Sequence, residues 1–102
     1  MNGDGKISLA EAKAILNYDA DLHDEDFKIQ NLIDAVPRYI QECTGLTPAE
    51  QEEEPICKAI TRCLLIKWFD MTEDFDKSID TMLATLKFQT VEKRAMARLE
   101  AT

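Results

Sequence analysis

Asn2, Gly3, Asp4, Gly5, Ile7 and Glu11 stand at the spacing of an EF-hand calcium loop, where alternating oxygens surround the ion and a bidentate carboxylate closes the loop. In that register Asn2 takes the third loop position, Asp4 the fifth, Gly5 the sharp turn and Glu11 the twelfth. The first-position aspartate would fall before Met1, and no entering helix carries the loop. Ca²⁺ takes six to eight oxygens, so a missing carboxylate weakens such a site. The other reading makes Asn2 to Gly5 a flexible start that leads into a helix cap at Ser8, with Glu11 serving the cap. No second hand is available as a partner. Asp19, Asp21 and His23 lack the glycine turn, and Asp70, Thr72 and Asp74 place Phe75 where glycine is required.

Other reactive residue types form no constellation. The three cysteines, Cys43, Cys57 and Cys63, lie in apolar helical patterns, where a reduced thiol behaves as a small hydrophobe. His23 is the one histidine, so the paired ligands of a zinc site are missing. There is no glycine-rich phosphate loop and no nucleophile elbow. The expectation is a protein without catalysis, resident metal or cofactor.

A chain of 102 residues makes one domain, with 45% hydrophobic and 31% charged residues, a globular balance. So small a core invites help from partner subunits. Twelve Lys and Arg against twenty Asp and Glu leave a net charge of −8, which repels a phosphate backbone and argues against sequence-reading of nucleic acid. The longest apolar run, Cys63 to Ile66 with Trp68 and Phe69, is far below the roughly 20 residues that span a bilayer. A soluble, intracellular protein is expected.

The elements that would position any site read as helices. Ser8 with Glu11 forms a capping box before Leu9, Ala12 and Leu16, giving a first helix that ends near Asn17. Asp24 is the N-cap of a longer helix with Ile29, Leu32, Ile33, Val36, Ile40 and Cys43 on one side, kinked at Pro37 and ended by Gly45. Thr47, Pro48 and Glu50 repeat the start signal, then Pro55 opens a central helix. Its Cys57, Ile60, Cys63, Leu64, Leu65, Ile66, Trp68 and Phe69 are apolar around most of the circumference. After a charged connector, Ser78 caps a helix carrying Ile79, Met82, Leu83 and Leu86. The fold expected is all-α, a small bundle of about four helices over residues 1–90 with a C-terminal extension. That extension, residues 91–102, reads either as a frayed, solvated terminus or as an arm that becomes helical on a partner. Val91, Ala95, Met96 and Leu99 give it a narrow apolar stripe, and Lys93, Arg94 and Arg98 outnumber Glu92 and Glu100.

The series Ile7-Ser8-Leu9-Ala10-Glu11-Ala12-Lys13, Asp24-Glu25-Asp26, Leu32-Ile33-Asp34-Ala35 and Tyr39-Ile40 closing at Thr44-Gly45 resembles the head–tail connector (adaptor, head-completion) proteins of long-tailed bacteriophages. Pro55-Ile56, Ala59-Ile60, Leu64-Leu65, Trp68-Phe69 and Ile79 to Leu86 look like that family's central and last helices. The likeness covers roughly residues 7–88; Pro37, the calcium-like opening and the length beyond Phe88 depart from it.

The resemblance implies a ring of twelve copies in the virion, at the head–tail interface of a tailed phage or prophage, assembled in the bacterial host cytoplasm. Such a ring binds the portal protein, meets the next head-completion or tail protein, and extends the DNA channel without sequence-specific binding or a membrane. It also implies a C-terminal segment that reaches the portal. Here that segment is Val91, Arg94, Ala95, Met96, Arg98 and Leu99. Trp68, Phe69, Met71 and Phe75, crowded at one helix end, are the expected subunit interface. The alternative from another class is a calcium-dependent binding module built on residues 2–11.

Overall fold

The computed structural model describes residues 4–101. They form five helices, α1 (Leu9–Ile15), α2 (Asp26–Thr44), α3 (Pro48–Gln51), α4 (Pro55–Asp70) and α5 (Asp76–Ala101), and no strand occurs among them. The fold is all-α: α2, α4 and α5 pack on one another, α1 lies against α2 and α4, and α3 rests on α2.

The helix ends follow from local chemistry. Ser8 is extended and its hydroxyl accepts the Glu11 N–H, which starts α1. Asn17 turns left-handed at φ 55°, the Tyr18 N–H reaches the Lys13 carbonyl at 2.8 Å and the Asn17 N–H reaches the Ala14 carbonyl, which ends α1. Asp24 does not cap α2. Its carboxylate accepts the Tyr18 hydroxyl at 2.5 Å instead, and Glu25 occupies the cap position with no side-chain bond. Gly45 ends α2 at φ 83°, and α2 runs through Pro37 as one helix. At Thr47 both halves of the capping box form: its hydroxyl accepts the Glu50 N–H and the Glu50 carboxylate accepts the Thr47 N–H. Pro48 and Pro55 each sit in the first turn of their helices, where the missing N–H has no partner to lose.

The core is built from one face of each long helix. Ile29, Ile33, Val36 and Ile40 of α2 meet Cys57, Ile60, Leu64 and Leu65 of α4 and Ile79, Leu83 and Leu86 of α5, with Ile7, Ala12 and Leu46 sealing the edges. Intervals of three and four residues bring these side chains onto common faces. Gln51 is buried too. Its amide donates to the Pro37 and Leu46 carbonyls at 2.9 and 3.0 Å, fastening α3 to α2.

Two expectations for the C-terminal region change. Ser78 lies inside α5, because the Ile79 N–H already donates to the Phe75 carbonyl and the first turn carries Asp76, paired with Lys67 of α4. Residues 91–101 are already helical in the single chain, where they continue α5 without interruption. Strong helix formers such as Glu92, Lys93, Arg94, Ala95, Met96 and Leu99 carry it outward.

Carboxylates tie this frame together. Asp26 is held below the usual aspartate range by its bond to Lys13 and then by His23, Asp34 by Gln30 and then by Lys6, and Glu50 by the Thr47 N–H, the Thr47 hydroxyl and Arg94. Groups with depressed folded-state values stabilise the fold at neutral pH and lose that contribution as pH falls. The melting midpoint should therefore hold above the ordinary glutamate value of 4.5 and decline progressively below the ordinary aspartate value of 3.8. A midpoint that rises on acidification would refute this.

Candidate functional site

Where the described chain begins, Asp4 is exposed while Gly5 and Ile7 are buried. Asp4 accepts the Lys6 N–H at 3.0 Å, and Gly5, left-handed at φ 70°, presses against Pro48, Pro37 and Gln51. Asn2 and Gly3 lie outside the described residues, so the oxygen set of a calcium loop is represented by Asp4 and Glu11 alone. The Glu11 N–H donates to the Ser8 hydroxyl, which is the half of the expected capping box that forms. Among the described residues, no group of three or more His, Cys, Asp or Glu side chains is placed to hold a metal ion. Burial pushes the Cys57 thiol up to about 11, with Glu54 adding to the effect, and burial also raises Cys63, which suits packing more than nucleophilic chemistry.

The sequence missed a buried lysine. Lys13 of α1 is 3% exposed, pairs with Asp26 at 2.5 Å, and donates to the Leu22 carbonyl at 2.7 Å and more loosely to Ala20. His23 closes on the other Asp26 oxygen at 2.8 Å. Together they clasp the connector of residues 16–25 to the start of α2.

The aromatic end of α4 is largely engaged within the chain. Trp68 meets Tyr39 edge-on at 5.5 Å; Phe69 meets Tyr18 at 6.1 Å and lies under Lys28 at 4.8 Å. Trp68, Phe69 and Phe75 are half-buried against the core. Burial, followed by Cys43 and Asp80, raises the Tyr39 hydroxyl above its ordinary value. Met71 differs: it is 87% exposed and left-handed at φ 54°. A side chain with a Cβ is strained there, so Met71→Gly should raise stability by about 0.5–1 kcal/mol in chemical denaturation. A loss would mean that the methionine packs. Leu22 and Phe27, at the same end of the bundle, are also exposed.

At the opposite end, α5 leaves the body. Thr90 is its last buried residue, and residues 91–100 are exposed. Val91, Met96 and Leu99 present large apolar surfaces there, with Ala95 and Arg98 beside them, and Phe88, one turn back on the bundle, extends the apolar surface. Arg94 is drawn back instead. Its guanidinium donates to the Gly45 carbonyl at 2.8 Å and meets Glu50 at 3.3 Å, a cation set on the carbonyl end of α2. The structure thus groups the six tail residues on one projecting helix, with Arg94 facing the body. Phe88 was passed over in the sequence, although its place three residues before Val91 continues the apolar spacing.

Among the described residues, no helix is long and apolar enough to cross a membrane. The fold and these surfaces define a small helical bundle with an outreaching terminal helix. No protein-family model, curated protein or solved structure matches the chain.

Proposed function

We propose that the chain is a structural head–tail connector of a tailed phage or prophage, forming a ring on the portal that extends the DNA channel toward the tail. The observation that carries this reading is the last part of α5, which stands off the bundle with Val91, Met96 and Leu99 more than half exposed beside Arg98. Such a surface is suited to a partner with an apolar groove and acidic rim, the role given to the portal. The order of helices resembles the connector family over residues 7–88. The acidic body fits as well, because DNA slides past a surface that offers its phosphates few cations. Trp68, Phe69, Met71 and Phe75 remain the proposed contact between neighbouring subunits, with Met71 the most accessible of them.

Co-sedimentation with an assembled portal ring tests this. The full chain should bind in a fixed ratio to the portal, and a chain lacking Val91 to Thr102 should not. Unchanged docking by the shortened chain would overturn the assignment of the tail. The rival, a calcium-dependent module, draws on the left-handed Gly5 at the loop's turn position. Calorimetric titration with micromolar Ca²⁺ separates the two: a connector gives no binding heat, whereas a module binds and melts at a higher temperature.

A further inference from the structure

The outward face of α5 carries a second apolar stripe, turned away from the core face of Ile79, Leu83, Leu86 and Thr90. Ala84, Phe88, Val91, Ala95 and Leu99 follow one another at intervals of three and four residues, close to the helical period, so the stripe stays on one side of a straight helix. All five are exposed, Phe88 at 69% and Leu99 at 70%. Part of this stripe belongs to a helix segment with no core beneath it. Helices this short are marginal alone in water.

The charges beside the stripe select an occupant. With Phe88 and Val91 in the seam, Lys87 and Glu92 flank it on opposite sides, at the g and e positions of a two-helix pair. In a parallel pair each Lys87 faces Glu92 of the other copy. The antiparallel pair that keeps the stripe in contact, Phe88 on Val91 and Ala84 on Ala95, sets Lys87 beside Arg94 and gives Glu92 only Thr85 opposite. From this complementarity we infer that a second copy of the chain covers the stripe, with the two α5 helices parallel and in register. The inference does not rest on the connector reading. It says what covers the stripe before any portal arrives, and failure to bind portal would leave it standing. A portal partner would then compete with the second copy for Val91, Ala95 and Leu99.

Sedimentation equilibrium of the full chain across micromolar concentrations gives the test. The expected mass is that of two chains. Phe88→Asp should weaken pairing by about 100-fold, because it places a carboxylate in the apolar seam, while the bundle stays folded and loses only the tail helicity and the concentration-dependent stability that pairing supplies. Lys87→Glu should weaken pairing several-fold at low salt, and Lys87→Glu combined with Glu92→Lys should restore it. A monomeric wild-type chain, tighter pairing in Lys87→Glu, or an assembly whose mass Phe88→Asp leaves unaltered would each overturn the inference.

Discussion

Lys13→Ala is expected to lower the stability of the bundle by about 2–4 kcal/mol, a large part of the roughly 5–15 kcal/mol that holds a domain together. Lys13 is nearly inaccessible; its ammonium donates a hydrogen bond to the Leu22 carbonyl and pairs with Asp26. Alanine leaves that carbonyl without its donor, removes the packed stem and strips Asp26 of its strongest counter-charge. Asp26 keeps some access to water, so its carboxylate rehydrates and limits the loss. Lys13→Met separates the contributions: it keeps the stem and should recover part of the stability without the charge. Urea unfolding followed by circular dichroism measures both variants. Hydrogen exchange should show the damage first in residues 16–25, the connector that Lys13 fastens. A change under about 0.5 kcal/mol in Lys13→Ala would mean that the clasp is incidental.

That clasp shows where a sequence stops being informative. The faces of α2 and α4 were legible because Ile29, Ile33, Val36 and Ile40, and Ile60 and Leu64, repeat at helical intervals; Gly45, Thr47 and Pro55 marked the ends by their own backbone chemistry. Lys13 gave no such signal. Its burial depends on a carboxylate thirteen residues away that arrives only when the connector folds back, and a lysine next to Ala12 looks like any solvated one. Asp24 misled for a related reason: its capping oxygen is taken by Tyr18, whose hydroxyl is pushed up to about 12 chiefly by that bond. Ser78 lost its cap because Lys67 supports an earlier start at Asp76. The tail's narrow apolar stripe and basic excess were legible, but not that its helix propensity would carry it on from α5 as one helix. Arg94 was grouped with the outward cations, and only the approach of α2's end to α5 shows why it turns inward.

Gly5→Ala is the second large effect expected, a loss of about 2–3 kcal/mol, and it bears on the calcium question directly. The residue is left-handed at φ 70°, where a Cβ costs about 1–2 kcal/mol. An added Cβ would also lie 3.1 Å from the Pro48 carbonyl oxygen and 3.3 Å from Pro37 Cβ, atoms fixed by α2 and α3. The Gln51 side chain, 3.4 Å away, is held by its own two carbonyl bonds and has little freedom to move. On this account the glycine is needed so that the amino-terminal strand of chain can pack against α3, whether or not an ion binds. The loss should therefore appear in full with a chelator present, and added Ca²⁺ should change neither variant's midpoint. A loss seen only with calcium would make Gly5 the turn of an ion loop and return function to residues 2–11. Full destabilisation in chelator leaves the glycine to the fold, and with it the loop's resemblance to a calcium site.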